Sequence, residues 1–345
     1  MKLFYTTAHH AHDPLFEFEG GRFIAAHERA SRAEIIKAAL LARKLGNLAL
    51  PRHFGNEPIL RVHTPEFVAF MGAAFARWQE RHGKDAPPAF PSVWPGRTLS
   101  PAIVADGEAI LGNYTFDMGT PILAGTFNAA RAACDVALSA AQDVLAGAKL
   151  SFALTRPPGH HAASDLYGGY CFFNNAALAA QLLSDTRRRV AILDVDMHHG
   201  NGTQAIFYER PDVLTVSIHG DPAHIYPYFL GRADEKGRGA GEGANLNLPL
   251  APRSGWSEYS AALASALARI REFGADTLVL PLGVDTVAGD PTGAFRLEGS
   301  DFTRMGWMIA SLELPTVITM EGGYRLDVLG NCVADVVDGL RQKLG

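Results

Sequence analysis

The stretch "VAILDVDMHHGNGTQ", residues 190–204, places carboxylate and imidazole side chains directly after an apolar run. The run has no polar alternation, which indicates a strand that is buried on both faces. Side chains of a strand alternate between its faces, so Asp194, Asp196 and His198 are expected to point the same way. Aspartate oxygens and imidazole nitrogens suit zinc or another divalent first-row ion. The stretch therefore predicts a metal site at the end of a buried strand.

Strand and helix patterns alternate along most of the remaining chain, which predicts an α/β fold. We expect a single three-layer α/β/α domain, residues 1–345, with a mostly parallel central sheet. The predicted strands are 2–7, 150–155, 189–195, 213–218, 276–284 and 315–320. The predicted helices are 65–82, 126–146, 174–184, 201–209, 257–273, 300–312 and 327–343.

Polar groups follow several of these strands, and the carboxyl ends of parallel strands meet at one edge of a sheet. Asp285 follows the strand at 276–284 and is the best distant partner for Asp196 and His198. Two ligands close in sequence and one distant ligand leave a coordination position open, which is typical of catalytic zinc. Asp290 also competes for this role, but its place before Pro291 favours a turn former or helix cap.

Four further residues at this edge are candidates for proton handling and charge stabilisation. His160 and His161, in "RPPGHH", can divide the work, one taking a proton from water while the other stays charged. Asp194 is expected to orient a histidine from outside the metal ligands. Tyr324 follows two glycines in "EGGY", whose sharp turn could aim a phenol at an oxyanion.

Composition excludes some classes of partner and location. The net charge is −5 and no long basic block is present, which disfavours nucleic acid. Three separated cysteines without a CxxC pair indicate neither a disulfide framework nor a thiolate zinc site. No signal peptide or apolar span is evident, so we expect no membrane association and a cytoplasmic location.

Two segments outside this pattern invite other interpretations. The proline-rich segment 84–125 lacks periodicity and predicts a long functional or interface loop. His9, His10 and His12 form a separate cluster, for which a solvated loop is favoured over a second metal site. Phe172 and Phe173 are expected in the core.

The motifs "RPPGHHA", "GGYCFFNNAA", "LDVDMHHGNGTQ", "SIHGDP", "GVDTVAGDP" and "MEGGY" occur in this order. The chain thus resembles the histone deacetylase superfamily of zinc amidohydrolases with an arginase-like fold, and most closely its bacterial acetylpolyamine amidohydrolases. The resemblance implies zinc bound by three residues, a tandem histidine pair with a general base, an oxyanion-stabilising tyrosine, and tyrosines lining a substrate tunnel. The zinc ligands would be Asp196, His198 and Asp285. The histidine pair would be His160 and His161, with His161 as the general base. Tyr324 would stabilise the oxyanion, and Tyr170 and Tyr226 would line the tunnel.

The resemblance also implies secondary features. A structural potassium ion would use Asp194, Asp196, His198, Ser217 and Ile218. Asn201 stands where one class of protein deacetylases has aspartate, a pattern of the polyamine deacetylases. The long loop would narrow the site entrance and support a homodimer.

Acidic positions of that loop would read a cationic substrate, but one family glutamate aligns with Gly119. Glu108 and Asp117 remain as candidates. Acetylputrescine, acetylcadaverine and acetylspermidine are therefore the expected substrates.

Three alternatives remain open. One is a broad deacylase acting on acetyl-lysine or other small amides. Another is a binuclear manganese ureohydrolase, which would need more paired His/Asp motifs than this chain offers. The last is a non-enzymatic binding protein, although no ligand position and no tyrosine has been lost.

Overall fold

The computed structural model describes residues 1–99, 109–186 and 188–344. Its strands, in chain order, are β1 (Lys2–Phe4), β2 (Phe16–Glu19), β3 (Arg22–Ala25), β4 (Asn47–Ala49), β5 (Leu150–Ala153), β6 (Val190–Asp194), β7 (Val213–Gly220), β8 (Asn245–Leu250), β9 (Thr277–Leu282) and β10 (Thr316–Met320). Its α-helices are α1 (Ser31–Ala42), α2 (Glu57–Leu60), α3 (Pro65–His82), α4 (Ala109–Asn113), α5 (Thr126–Leu145), α6 (Asn175–Ser184), α7 (Asn201–Phe207), α8 (Trp256–Phe273), α9 (Gly299–Ala310) and α10 (Leu326–Leu344).

Eight of the described strands form one sheet in the order β4-β1-β5-β10-β9-β6-β7-β8. Every neighbouring pair in this sheet is parallel. The strands β2 and β3 instead pair with each other as an antiparallel hairpin. The predicted α/β architecture is therefore confirmed, and the carboxyl ends of the eight strands share one edge.

Two hydrophobic layers cover the sheet, one on each face. Successive residues of β6 divide between them: Ala191 and Leu193 contact the layer that contains α8 to α10, whereas Val190 and Ile192 contact the layer that contains α5 and α6. Burying one such aliphatic side chain stabilises the fold by roughly 1.5–3 kcal/mol. The central strands consequently have no solvated face, which explains their unbroken apolar sequences.

Local signals set the bounds of α3 as the sequence predicts. The Thr64 hydroxyl accepts a hydrogen bond from the amide of Phe67 at 3.3 Å, and Pro65 opens the first turn. Gly83 ends the helix with φ of 90°, a conformation that favours glycine. Phe172 and Phe173 lie in the core as expected.

Two predictions from the sequence need correction. The segment 84–125 is not wholly irregular, because it contains α4 and an antiparallel bridge between Ala89 and Ile122. Of the histidines near the N-terminus, His9 and His12 do not lie in a solvated loop, because the 3-10 turn Thr7–Ala11 packs against α5, whereas His10 is half exposed. His9 and His12 are each only 2% exposed there, and His12 Nδ1 lies 2.8 Å from the Thr126 hydroxyl.

Candidate active site

Three predicted metal ligands converge beyond the carboxyl ends of β6 and β9. His198 Nδ1 lies 3.0 Å from Asp285 Oδ2 and 3.3 Å from Asp196 Oδ1. These spacings match the ligand-to-ligand edge of a tetrahedron with metal bonds of about 2.0–2.1 Å, which is about 3.3 Å. Asp285 is fully buried and Asp196 nearly so. We call Asp196, His198 and Asp285 the strand-end triad.

Backbone amides hold the carboxylates of the triad in place. Asp196 Oδ1 accepts a hydrogen bond from the His198 amide at 2.8 Å, and its Oδ2 accepts one from the Gly322 amide at 2.8 Å. Asp285 Oδ1 accepts a hydrogen bond from the Met197 amide at 2.9 Å. Asp194 ends β6, so Asp196 and His198 lie in the loop after the strand. Their orientation thus comes from this loop and not from strand alternation.

Two glycines leave room for the carboxylates to meet. A Cβ atom at Gly283 would lie 2.0 Å from Asp196 Oδ2. A Cβ atom at Gly322 would lie 2.4 Å from Asp285 Oδ2 and 2.6 Å from Asp196 Oδ2. Contacts this short do not occur, so any larger residue would displace a carboxylate.

The electrostatics of the triad fit a bound cation. Burial and the adjacent Asp196 carboxylate raise the pKa of Asp285 to about 7. Two carboxylates this close repel each other when both are ionised, and a divalent ion between them would remove that cost. Carboxylate oxygen and imidazole nitrogen are both ligand types that bind zinc.

The histidine pair lies beside the triad, and each ring has a different partner. His160 Nδ1 donates to Asp194 Oδ2 at 2.9 Å, whereas His161 Nδ1 lies 2.6 Å from the carboxamide oxygen of Asn201. The ring centroids of the pair are 4.0 Å apart. Asp194 and Asn201 therefore orient the two histidines, as predicted for residues outside the ligand set.

The pKa values of the two histidines shift in opposite directions. Burial disfavours the charged form of His160, but the carboxylates of Asp194 and Asp196 outweigh burial and raise its pKa to about 10. Burial and the charge of His160 hold the pKa of His161 well below 6.5. His161 is thus the neutral ring of the pair and can accept a proton.

Tyr324 is placed by the turn that follows β10. The amide of Tyr324 donates to Asp290 Oδ2 at 2.7 Å, and Gly323 before it has φ of 122°. Asp290 also accepts hydrogen bonds from Thr292, so it is a structural turn residue, as expected, rather than a ligand. Burial raises the pKa of Tyr324 well above 10, so its phenol is a neutral donor at neutral pH.

A buried arginine that the sequence analysis did not single out supports the same turn. Arg32 donates to the backbone carbonyls of Glu321 and Gly323 at 2.6 and 2.7 Å. Its guanidinium carbon also lies 4.5 Å from the centre of the Tyr324 ring. Glu28 pairs with Arg32 at 2.9 Å. Both residues precede the first recognisable motif, and no nearby pattern marks them.

His198 of the triad lines a cavity of about 500 Å³. Its walls include Tyr170, Tyr226, Asp117 and Gly119 together with His161 and Tyr324. The ring of Tyr226 meets that of His161 edge to face with centroids 5.2 Å apart, and the rings of Tyr170 and Tyr324 are 5.6 Å apart. The predicted tunnel tyrosines are therefore at the site.

Asp117 lines the cavity, and one oxygen of its carboxylate is held by protein donors. Its Oδ2 accepts hydrogen bonds from the Tyr226 hydroxyl at 2.7 Å and from the Gly169 amide at 2.6 Å. Burial raises the pKa of Asp117. Glu108, the other acidic candidate, lies outside the residues that the structure describes.

The β2–β3 hairpin adds two carboxylates that the sequence analysis missed. Glu17 and Glu19 point to the same face of β2 and line the cavity. Glu17 Oε1 accepts a hydrogen bond from the Tyr170 hydroxyl at 2.9 Å, and His27 Nε2 is 3.9 Å from the same oxygen. The side chain of Glu17 is 3% exposed, whereas that of Glu19 is 59% exposed.

The residues of the predicted potassium site are neighbours in the sheet. Asp194 pairs in register with Ser217 of β7, and Ile218 is the next residue of that strand. Asp194 Oδ1 also accepts a hydrogen bond from the Asp196 amide at 3.1 Å. The ion itself stays a prediction.

Comparison with known proteins supports the resemblance. Residues 26–340 match the family described as histone deacetylase domain. The chain is 48% identical to acetylpolyamine amidohydrolase 2 of Pseudomonas aeruginosa, over 98% of both chains. It is 42% identical to the acetylpolyamine amidohydrolase of Mycoplana ramosa, over 99% of both.

Solved structures agree with the sequence relatives. The acetylpolyamine aminohydrolase of Burkholderia pseudomallei superposes with a TM-score of 0.93 at 38% identity, covering 98% of both chains. The HD domain of HDA15 superposes with a TM-score of 0.81 at 27% identity, covering 99% of this chain and 88% of that one. The fold, the order of the motifs and the identity over nearly the whole chain show that this chain belongs to the histone deacetylase family.

Proposed function

We propose that this protein is a zinc-dependent amidohydrolase that removes the acetyl group from N-acetylated amines, acetylpolyamines in particular. Near-full-length similarity to proteins named acetylpolyamine amidohydrolase supports this substrate class. One observation carries the proposal: the strand-end triad meets at spacings of 3.0 and 3.3 Å, and its His198 lines the same cavity as Tyr324 and His161.

The strand-end triad would hold the zinc ion. When bound, zinc supplies a Lewis acid that polarises the amide carbonyl and lowers the pKa of water. The three protein ligands leave a coordination position open, as catalytic sites require.

The chain's own residues then provide proton transfer and charge stabilisation. His161 takes the proton of the attacking water. Its ring lines the cavity, and because Nδ1 is held by Asn201, Nε2 is the nitrogen that can accept the proton. Tyr324 donates a hydrogen bond to the oxyanion of the tetrahedral intermediate. His160, held by Asp194, keeps a positive charge beside this centre. A proton returned from the histidine pair lets the amine depart.

The carboxylates of the β2–β3 hairpin, which line the cavity, favour a cationic substrate. Glu17 is buried in the wall, and Glu19 lies two residues along the same strand face. Polyamines carry ammonium groups at neutral pH, and a carboxylate that is shielded from water attracts them more strongly than an exposed one. We therefore assign the recognition of the amine tail to Glu17, with Glu19 in a smaller role.

A substrate panel tests this function. Purified protein with measured zinc content should hydrolyse acetylputrescine, acetylcadaverine and acetylspermidine faster than acetyl-lysine peptides. Equal or faster turnover of the peptides would favour the broad deacylase instead. Two manganese ions per chain would point to the ureohydrolase alternative.

A homodimer remains part of the proposal. Leu15, Phe16 and Phe23 of the hairpin region are each more than half exposed. Phe23 packs against Phe90 of the proline-rich segment, with ring centroids 5.3 Å apart. An exposed apolar face of this kind is typical of an interface. Light scattering on the purified protein should give twice the mass of one chain.

The remaining predictions are a single catalytic domain, a structural potassium ion and a cytoplasmic location. No helix among the described residues is long and apolar enough to cross a membrane.

A further inference from the structure

A second group of possible metal ligands lies outside the active-site cavity. It consists of His9 and His10 in the 3-10 turn and Glu34 in α1, and we call it the outer histidine cluster. The two imidazole rings stack with centroids 4.1 Å apart. Their Nε2 atoms are each 3.3 Å from the same oxygen, Glu34 Oε1. None of these residues is among those that line the cavity.

The spacing in this cluster matches that in the strand-end triad. Both sets contain imidazole nitrogen and carboxylate oxygen, and both place the nitrogens 3.0 to 3.3 Å from the oxygens. An edge of about 3.3 Å is the one that a tetrahedral ion with bonds of about 2.0 Å requires. We propose that His9, His10 and Glu34 form a second site for a divalent transition-metal ion such as zinc, nickel or copper.

The surroundings determine which ions fit and how firmly they bind. Imidazole nitrogen favours these metals over magnesium and calcium. The side chains of His10 and Glu34 are 50% and 37% exposed, so an ion can enter from solvent and keep water as a further ligand. Lys37 pairs with the other oxygen of Glu34, and the hydroxyl of Tyr5 donates to Oε1. Because Lys37 and Tyr5 compete with an ion for the Glu34 carboxylate, we expect weaker metal binding than at the strand-end triad.

The outer histidine cluster is also hydrogen-bonded to the loop that carries His160. Arg156, which precedes the histidine pair by only a few residues, donates to the backbone carbonyl of His9 at 2.8 Å and pairs with Glu28 at 2.9 Å. Arg156 is almost completely buried. An ion on His9 and His10 would therefore fix a turn that is bonded to the loop carrying His160. The proposal does not rest on the proposed deacetylase function.

Metal counting on matched variants tests the second site. Metal-free full-length protein is titrated with cobalt(II), and bound metal is measured by mass spectrometry and by visible absorption. The wild-type protein should take up two equivalents, the second more weakly. His10→Ala should lose the weak equivalent only, because His10 is exposed and its removal leaves the fold intact. Asp285→Ala should lose the tight equivalent and keep the weak one.

His53→Ala is the matched control, since His53 is an exposed histidine whose side chain pairs with Asp135 far from the cluster. It should bind both equivalents. A wild-type protein that takes up only the tight equivalent would overturn the proposal, and so would a His10→Ala variant that still binds two. Failure of the strand-end triad would appear separately, as loss of the tight equivalent from the wild-type protein.

Discussion

The two walls of the active-site cavity differ in origin and in chemistry. One wall is formed by the carboxyl ends of β5, β6, β9 and β10 and carries the triad, the histidine pair and Tyr324. The opposite wall is formed by the β2–β3 hairpin and the segment around Asp117. Groups on the first wall are held by backbone amides and buried partners, whereas Glu19 on the second wall is largely exposed.

This difference separates the chemical step from recognition. The strand ends belong to the parallel sheet, whose two apolar layers keep them rigid, so they can hold reacting groups at fixed distances. The hairpin belongs to no larger sheet, so its side chains can change with less effect on the fold. Substitutions in the first wall should therefore alter kcat, and substitutions of the hairpin carboxylates should alter the preference among substrates.

Asp285→Ala should have the largest effect. Removing this ligand breaks the triad, so zinc content and turnover should both fall to background. Asp276→Asn is the control, because Asp276 lies just before the opposite end of the same strand, β9. Retention of metal and turnover in Asp285→Ala would remove Asp285 from the ligand set.

Tyr324→Phe should rank second. Loss of one oxyanion donor costs about 2–4 kcal/mol of transition-state stabilisation, which corresponds to roughly 30- to 1000-fold in kcat. Zinc content should be unchanged, since the phenol is not in the triad. Tyr228→Phe, at the half-exposed rim, should behave as wild type. Near-normal kcat in Tyr324→Phe would show that the phenol takes no part in the chemical step.

Glu17→Gln tests the recognition wall. Hydrogen bonds to charged groups contribute about 1.5–3 kcal/mol, so kcat/KM for acetylputrescine should drop roughly 10- to 100-fold. Turnover of the uncharged analogue N-butylacetamide should change little. Glu19→Gln should lose less, because an exposed ion pair contributes about 0–1 kcal/mol. An equal loss for both substrates would mean that Glu17 acts only by holding Tyr170.

Asp117→Asn should have a smaller effect than Glu17→Gln. Its carboxylate contacts Tyr226 and Gly169, so it supports the wall and need not meet the amine tail directly. Loss of one such hydrogen bond costs about 0.5–1.5 kcal/mol, or up to about 10-fold in kcat/KM. The loss should be equal for acetylputrescine and N-butylacetamide. A loss confined to the charged substrate would restore Asp117 as a direct contact.

The first wall could be predicted from sequence because its signals are local. Strands without polar alternation mark a buried parallel sheet, and the edge rule then places Asp196, His198, Asp285 and Tyr324 together. What the sequence could not supply was the reason they converge. Strand alternation was the expected cause, but Asp196 and His198 lie beyond β6, where backbone amides and glycines orient them.

The roles of the hairpin residues could not be predicted from the sequence, for a physical reason. Strand β2 alternates apolar and polar residues and is followed by Gly20 and Gly21, so the hairpin itself has a local signal, but that signal does not show which cavity its polar face meets. The roles of Glu17 and Arg32 depend on partners far along the chain, such as Tyr170 and the carbonyl of Gly323. The burial of His9 and His12 likewise follows from contacts with distant elements and not from the turn's own polar sequence.

The lack of space for a side chain at Gly283 and Gly322 also limits how this site can change during evolution. If both codons were randomised together and the library selected for turnover, survivors should encode glycine at each, because even a methyl group would collide with a carboxylate. Glu17 and Glu19, by contrast, should tolerate many replacements in a selection on an uncharged amide. New substrate specificities should therefore arise through substitutions in the β2–β3 hairpin, while the strand-end triad and its two glycines stay unchanged.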